Sequence, residues 1–406
     1  MLLGGRLADR WGRRRIFVAG MAVFCLGAAL SAVAPVIGLV IASRVVQAVG
    51  VAMVLPSSLA AVLPLFPQSR HASVVSLWAA MGVLGSAVAP TMAAGVLQIA
   101  SWRWVFAAVI PFGLVALVAG RSRLDQGVLP VSPAPLDLLG TVAGTVAVGG
   151  LAVVVVQGRH WGWTSPAIAS VAVVAMIAGW AFVARSLRHP EPLLDLGLLR
   201  VAPFRVVTAA TGLVSVATAA TWFMYPLFMT AVWGYSIFEV GLAISPGALA
   251  MIPVTVLSGR LADRHGYRPL LVGGSTVALL AVVWLAWRLQ PGASYAAAFL
   301  PGTCGIGLGM GLMMGPANSA ALREISPAKL GAANAAFNTV RFLGSALGVA
   351  VAAAVIGASE GVARTAALER AFWVVAALMA GGPLLLALRY RPTRPTRPTG
   401  PASRLG

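Results

Sequence analysis

"GRLADRWGRRRIF" occupies residues 5–17, and the same first six letters open "GRLADRHGYRPLL" at residues 259–271. A glycine follows two residues after each copy, at Gly12 and Gly266. A six-residue match without a mismatch indicates an internal repeat, and internal repeats constrain the architecture of a whole chain. The sequence therefore predicts two related halves, each with a short basic loop between two apolar segments.

The composition is that of a membrane protein. Hydrophobic residues make up 59% of the chain, charged residues make up 10%, and the mean hydropathy is +0.91, whereas soluble proteins average about 25% charged residues. About twelve apolar runs lie between residues 16 and 388, each near or above the roughly 20 residues that cross a bilayer as a helix. A membrane β-barrel would show alternating segments of about ten residues instead. We therefore expect an all-α integral membrane protein.

The net charge of +19 would suggest nucleic-acid binding in a soluble protein, but the placement of the basic residues excludes this reading. If the first repeated loop lies in the cytoplasm, most of the 29 lysine and arginine residues fall on that side of the membrane. This asymmetry is the positive-inside pattern. It predicts a multi-pass protein of the cytoplasmic membrane, with the lipid bilayer as its partner and its C-terminus in the cytoplasm.

The repeated loop resembles a signature of the major facilitator superfamily, Gly-x-Leu-Ala-Asp-Arg-x-Gly-Arg-[Lys/Arg], which joins the second and third helices of each half. A second short repeat, "LGSA" at residues 84–87 and 343–346, supports a duplication. Tandem halves of this kind build the helical bundle of that superfamily. The resemblance implies that bundle as the fold of this chain.

The number of runs between the two signatures refines the resemblance. About eight runs separate them where six are expected, so two helices are extra, as in the fourteen-helix drug:proton antiporter branch, which includes bacterial multidrug exporters. Little sequence precedes the first signature, so we expect about twelve complete transmembrane helices of an original fourteen, without the first and most of the second. The expected units are a truncated first half, two inserted helices with a connecting loop, a six-helix second half and a disordered basic tail: 1–120, 121–200, 201–388 and 389–406.

Further stretches resemble the same branch. "RVVQAVGVAMVLPSSLA" at 44–60 is similar to the fourth-helix signature Arg-x-x-Gln-Gly-x-Gly-x-Ala, with Ala48 in place of a glycine. "SWRWVFAAVIPFG" at 101–113 resembles the beginning of the sixth helix, and "PEPLLDLGLLR" at 190–200 resembles the connection into the ninth. The fifth-helix antiporter signature Gly-Pro-x-x-Gly-Gly departs from its pattern, because residues 89–94 read Ala-Pro-Thr-Met-Ala-Ala. Alanine is bulkier and less flexible than glycine. The candidate residues of this antiporter-motif helix are Gly85, Ala89 and Pro90.

Arg44 falls inside a predicted membrane helix, where a cation costs roughly 2.5–3.5 kcal/mol on insertion scales. The resemblance assigns this arginine to proton coupling, and a fixed positive charge lowers the pKa of a nearby carboxylic acid. The alternative is a structural arginine that bonds backbone carbonyls or Gln47, which lies one turn further on the same face.

Asp9 lies in the first repeated loop, and the resemblance implies that it contacts the opposite half and closes the cytoplasmic side together with neighbouring arginines. The alternative is an anion that merely balances the charge of those arginines. Asp263 is its counterpart in the second copy, and we expect a weaker contact there. The gating candidates are Asp9, Arg10, Arg13, Asp263 and Arg264.

A polar stripe is predicted on a later helix, because Asn334, Asn338 and Arg341 are spaced by four and three residues and so share one face. A polar stripe within a membrane helix should face a cavity or a partner helix. Asn318 follows Pro316 at an expected helix break and is a further candidate. These residues line the transport path or form hydrogen bonds between helices, and the sequence leaves both possibilities open.

Trp222 and Tyr225 could form an aromatic wall against a substrate, although a belt at the membrane interface explains such residues equally well. All ten acidic residues fall in predicted loops or at predicted helix ends, whereas proton antiport needs a titratable group exposed alternately to both sides. In the family the first helix carries such an aspartate. Cys25, Cys304 and the histidines show no metal-ligand spacing, so no metal, cofactor or enzymatic activity is expected.

The predicted function is secondary export of drugs or other small molecules by proton antiport with alternating access, by a monomer that does not bind nucleic acid. Two alternatives remain. One is a truncated remnant that does not transport, and the other is an exporter of a specific metabolite. An in-frame upstream stretch that encodes two apolar runs would favour a working transporter over a remnant.

Overall fold

The computed structural model describes residues 2–62, 65–67, 71–124, 137–189, 196–325, 330–357 and 361–390. The regular secondary structure of these residues is entirely helical. Besides a 3-10 helix at Leu196–Arg200 and a π-helical turn at Tyr295–Phe299, these residues form fourteen α-helices: α1 (Leu2–Trp11), α2 (Arg13–Val33), α3 (Ile37–Val62), α4 (His71–Ile99), α5 (Trp102–Ala107), α6 (Ile110–Arg123), α7 (Leu138–Trp161), α8 (Pro166–Arg188), α9 (Ala202–Ala231), α10 (Ile237–His265), α11 (Tyr267–Arg288), α12 (Leu300–Leu322), α13 (Leu330–Ile356) and α14 (Gly361–Arg389).

The membrane prediction is confirmed by helix length and hydropathy. Eleven segments of the described residues are long and apolar enough to cross a bilayer, with α5 and α6 together forming one of them. α4 is 29 residues long, and its segment Val88–Ile99 is a shorter apolar stretch. Each predicted apolar run therefore falls on a helix.

The repeated hexapeptide is helical, which corrects the prediction of a loop. Its first copy lies in α1 and its second in the last turns of α10. Only Gly12 and Gly266 interrupt the helices, with φ of 94° and 79°, a region that residues with a side chain rarely adopt. Space does not demand these glycines, because a Cβ at either position would meet nothing within 4 Å. The repeat thus encodes the same helix joint twice.

One arginine after each joint ties its half together. Arg14 at the start of α2 donates a hydrogen bond to the carbonyl oxygen of Arg121 in the last turn of α6. Arg268 at the start of α11 donates to the carbonyl oxygen of Ala387 in the last turn of α14, at 2.9 Å. Both arginines satisfy carbonyls that a helix C-terminus leaves without an intrahelical partner. We call the end of the bundle that carries these contacts and both joints the basic end.

The buried apolar core lies almost wholly in the second half, from Leu198 to Tyr390. There α9 packs against α13 and α14, and α12 packs against α10 and α11. α10 and α12 approach so closely that a Cβ at Gly307 would overlap the carbonyl oxygen of Gly247. Small residues allow such contacts between membrane helices.

Among the described residues, the two halves meet where α4 packs along α10 and where α1 packs against α13. Helix α7, which lies between the halves in the sequence, also packs against α13. Within the first half, α2 packs against α3 and α6. The inserted helices α7 and α8 pack chiefly against each other, and only 6% of each span is buried.

Two helix boundaries differ from the sequence-based expectation. α12 continues through Pro316 without a break, since membrane helices tolerate proline where neighbouring helices compensate for the lost hydrogen bond. α14 begins at Gly361, whereas the predicted apolar run begins only at residue 370. The charged residues that precede the apolar run form the first turns of the helix. The predicted disordered tail at 389–406 begins too early, because Arg389 ends α14 and Tyr390 is buried, and residues 391–406 lie outside the described residues.

Candidate functional site

Arg44 lies two turns inside α3 on an exposed face of the helix. Its guanidinium donates a hydrogen bond to Oε1 of Gln47, a side chain that is only 4% exposed. The guanidinium carbon of Arg44 lies 5.8 Å from the centroid of the Phe106 ring. The spacing of three residues brings the two polar groups to one face. The bond to Gln47 that the sequence offered as a structural alternative is therefore present, while proton coupling by Arg44 stays a prediction.

The polar stripe on α13 is joined to α12 by hydrogen bonds. Nδ2 of Asn318 donates to Oδ1 of Asn334 at 3.0 Å, and Nδ2 of Asn338 donates to the same oxygen at 3.1 Å and to the Asn334 carbonyl at 2.9 Å. The predicted interhelical hydrogen bond is thus present. Arg341 lies one turn beyond Asn338 and is half-buried. Whether this stripe lines a transport path stays a prediction.

The antiporter-motif helix α4 makes the densest contact between the halves. Oγ1 of Thr91 lies 3.0 Å from the carbonyl oxygen of Gly241 and 2.5 Å from Oγ of Ser245, both on α10. A Cβ at Gly241 would lie 2.9 Å from Cβ of Ala94 and 3.2 Å from the carbonyl oxygen of Pro90. Ala94 on α4 stands where the signature has a glycine. It packs against Gly241, a glycine on the partner helix α10.

The other residues of the antiporter motif lie away from this contact. Gly85 and Ala89 are exposed, and a Cβ at Gly85 would meet nothing within 4 Å. Thr91, which occupies a variable position of the signature, makes the polar contact instead. The helix that carries the motif thus lies at this interface, which the sequence did not predict.

Trp222 and Tyr225 do not share a surface in the structure. Trp222 is 37% exposed, whereas Tyr225 is 1% exposed and packs edge-on against Phe299 with ring centroids 4.7 Å apart. Tyr225 therefore belongs to the buried core rather than to an accessible aromatic wall. Its position in the sequence could not reveal this, because the ring of Phe299 comes from a distant turn.

The gating candidates lie at the basic end. α1, which carries Asp9, packs against α13 of the opposite half. Arg10 is exposed and Arg13 is half-buried, while Asp263 and Arg264 are exposed in the last turn of α10. The packing of α1 places the first signature at the boundary between the halves, as the resemblance implies. The contact made by the carboxylate of Asp9 stays a prediction.

The acidic residues need one correction. Glu369 lies within α14, in its third turn, and is half-buried, because this helix begins earlier than expected. The other described acidic residues lie near helix ends, as predicted: Asp9, Asp137, Glu239, Asp263 and Glu324.

A buried ion pair that was not predicted from the sequence joins α7 and α8. Asp137 is 1% exposed. Its Oδ1 accepts a hydrogen bond from the Gly140 backbone at 2.8 Å, which caps α7, and also pairs with Nε of Arg185 near the end of α8. An aspartate directly before an apolar run is an N-cap signal, but nothing in the sequence indicates its partner 48 residues away. The equivalent arginines Arg14 and Arg268 were also missed, although their matching positions in the repeat could have identified them.

This arrangement defines a class of protein, a membrane bundle of two related halves. Each half contains the same helix joint, followed by an arginine that binds the last helix of that half. A family profile described as the Major Facilitator Superfamily matches residues 1–349 and 207–405. The chain belongs to the major facilitator superfamily. A D-xylose-proton symporter of known structure shares this fold, with a TM-score of 0.68 and 16% identity over 96% of this chain and 83% of the symporter.

Several bacterial proteins are similar in sequence over most of the chain. An uncharacterised transporter of this superfamily from Bacillus subtilis is 27% identical over 86% of the chain and 65% of its own length. A lincomycin resistance protein from Listeria monocytogenes is 27% identical over 82% of the chain and 70% of its own length. A methylenomycin A resistance protein from Bacillus subtilis is 28% identical, with coverages of 88% and 76%. The chain therefore spans about two thirds to three quarters of the length of these relatives.

Proposed function

We propose that this protein is a secondary active transporter of the cytoplasmic membrane that exports drugs or other small molecules by proton antiport. The observation that carries the proposal is Arg44, a cation inside a membrane helix. Its guanidinium forms a hydrogen bond with Gln47 and pairs with no carboxylate of the described residues. A fixed cation of this kind favours the charged form of a nearby acid and so couples to its protonation. The resistance functions named for two relatives support export.

We further propose that transport proceeds by alternating access between the two halves. The hydrogen bonds of Thr91 to Gly241 and Ser245 lie about two helical turns from the end opposite the basic end, and the first signature lies at the basic end. A rocking motion that opens one end would separate one set of contacts while it preserves the other. The repeated joints at Gly12 and Gly266 support this assignment, because they give the two halves equivalent hinges between neighbouring helices.

The fourteen-helix layout also belongs to this proposal. Only 17% of the membrane span of α3 is buried, and Ile41, Val45 and Val49 are each more than half exposed on it. We propose that the working transporter has two further helices, and that one of them covers this face and brings a carboxylate to Arg44. Charge complementarity supports that choice, since an arginine within a membrane is expected to find an acidic partner.

In its membrane the protein is proposed to be a monomer with its basic end and its C-terminus in the cytoplasm. The described arginines support this orientation, because Arg14, Arg121 and Arg268 lie together at the basic end. The competing function is that of a membrane protein which inserts without transporting. The exposed face of α3 is the observation that favours this competitor.

Accumulation of lincomycin tests the proposal in an efflux-deficient bacterial strain that expresses the working transporter, which is the 406-residue chain together with the two further helices. We expect lower accumulation than in cells with an empty vector, and we expect a protonophore to abolish the difference. Equal accumulation of lincomycin and of a broad drug panel, with the chain shown to be in the membrane, would favour the non-transporting protein. Loss of one endogenous metabolite without any drug export would instead favour the metabolite exporter.

A further inference from the structure

The row of polar groups on α13 includes a cation inside the membrane span. Arg341 is the twelfth residue of α13, about 16 Å along the helix from its first residue, and it lies inside the apolar span Ala336–Ile356. Its side chain is half-buried. An ionisable residue at such depth marks a ligand path or an internal partner.

No internal partner neutralises Arg341 among the described residues. Its recorded side-chain contact is with the ring of Phe342, whose centroid lies 5.0 Å from the guanidinium carbon. The sequences of α12 and α13 contain neither Asp nor Glu. The guanidinium therefore retains its donors for a ligand, and a guanidinium can bind a carboxylate through two parallel hydrogen bonds.

The asparagines extend this donor site along the same face. Oδ1 of Asn334 accepts hydrogen bonds from both Asn318 and Asn338, which leaves the amide nitrogen of Asn334 as a donor. Asn334 is exposed, and Asn338 and Arg341 follow it by four and three residues on one helix face. The face therefore presents an amide donor and a cation in a row.

We propose that Asn334, Asn338 and Arg341 form a subsite for the anionic group of an acidic, partly apolar small molecule. This inference rests on the proposed export function and specifies its substrate class. The guanidinium binds the carboxylate, the Asn334 amide donates a second hydrogen bond, and Asn338 holds that amide in place. The exposed ring of Phe342 beside the cation accommodates apolar parts of the molecule.

Two dyes with the same xanthene ring system and opposite charge test the subsite: fluorescein, an anion, and rhodamine 123, a cation. Binding to the purified full chain in phosphatidylcholine nanodiscs is measured by fluorescence anisotropy. We expect fluorescein to bind more tightly, and Arg341→Gln to weaken its binding about tenfold or more. Arg341→Lys should restore part of the affinity because it restores the charge. The matched control is Arg370→Gln, which removes an exposed arginine from α14 and should leave binding unchanged.

A second variant, which keeps the cation, guards against a loss of binding that comes only from misfolding. Asn334→Ala keeps the cation and should weaken fluorescein binding while size-exclusion behaviour stays that of the unaltered chain. Tighter binding of rhodamine 123, or equal losses in Arg341→Gln and Arg370→Gln, would overturn the inference. Displacement of fluorescein by phosphatidylglycerol added to the discs would also overturn it, because the arginine would then hold a lipid headgroup. Fluorescein binding without export from cells would refute the proposed function and leave the anion subsite standing.

Discussion

At the scale of single residues, Arg44 shows how a polar group is held inside an apolar helix. The buried amide of Gln47 accepts its hydrogen bond, and the ring of Phe106 lies beside its guanidinium. These contacts orient the cation without neutralising it, because an amide and a ring carry no net charge. A residual positive charge of this kind is what coupling to a proton requires.

Replacement of Arg44 by alanine tests this role. In the working transporter with its two further helices, we expect Arg44→Ala to reduce efflux driven by a pH gradient to background without preventing membrane insertion, since the lost cation no longer couples to a protonation step. Val45→Ala is the matched control, because Val45 is exposed on the same helix and carries no charge. Unchanged drug accumulation in cells that express Arg44→Ala would leave Arg44 with a structural role only.

The sequence allowed the Arg44–Gln47 pair to be predicted because both residues lie on one helix, where spacing determines proximity. It did not allow the Asp137–Arg185 pair or the Thr91–Ser245 contact to be predicted. These contacts join residues that are 48 and 154 positions apart, and they depend on how separate helices cross. Tyr225 illustrates the same limit, because its burial depends on Phe299 from another helix.

At the scale of helices, α10 and α12 show how closely two membrane helices pack in this bundle. A Cβ at Gly307 would overlap the Gly247 carbonyl oxygen, and a backbone atom cannot move aside as a flexible side chain can. The core of the second half therefore depends on the absence of side chains at this crossing. The sequence contains 45 glycines, but it does not show which of them lie in a contact between helices.

Two glycine-to-alanine substitutions, one at the contact and one away from it, test this packing. We expect Gly307→Ala to destabilise the protein by about 1–3 kcal/mol, because overpacking forces the helices apart, and to lower its melting temperature in detergent. Gly273→Ala on α11 is the control, since a Cβ there meets nothing within 4 Å and alanine favours a helix by up to about 1 kcal/mol. Equal melting temperatures for both variants would show that the crossing is not closely packed.

At the scale of the whole molecule, the repeat organises the two halves in the same way. The joints at Gly12 and Gly266 share a left-handed backbone conformation, and Arg14 and Arg268 bind the last helix of their own halves. The twofold plan was predictable from the repeated hexapeptide. The lower burial of the first half was not predictable from the sequence. Burial depends on which helices pack against each other, and no local sequence pattern describes that packing.

The orientation proposed for the bundle can be tested by labelling of single cysteines in a cysteine-free background. A cysteine at Ser122, which is exposed in the last turn of α6, should react only with a reagent in the cytoplasm. A cysteine at Ser359, a position outside the described residues, should react only from outside. Labelling of both positions from one side would contradict the proposed helix count.

The two copies of the signature are expected to contribute unequally to closure of the basic end. In the working transporter, Asp9→Asn should raise the reactivity of a reporter cysteine at Ser73 toward a cytoplasmic reagent and lower the efflux rate. The reason is that α1 contacts the opposite half, and a bias of a few kcal/mol shifts two states of similar free energy. Asp263→Asn serves as the matched comparison and should have a smaller effect. A larger effect from Asp263→Asn, or no change in Asp9→Asn, would overturn this assignment.

Cross-linking of the two halves tests the central claim, export by rocking of the halves, most directly. Oγ1 of Thr91 and Oγ of Ser245 lie 2.5 Å apart, so Thr91→Cys and Ser245→Cys together place two sulfurs within bonding range. The measurement is efflux by this double variant, without Cys25 and Cys304, before oxidation, after oxidation and after reduction. We predict that the disulfide stops efflux and that reduction restores it, while neither single variant responds to the oxidant. Undiminished efflux from fully cross-linked protein would contradict the account.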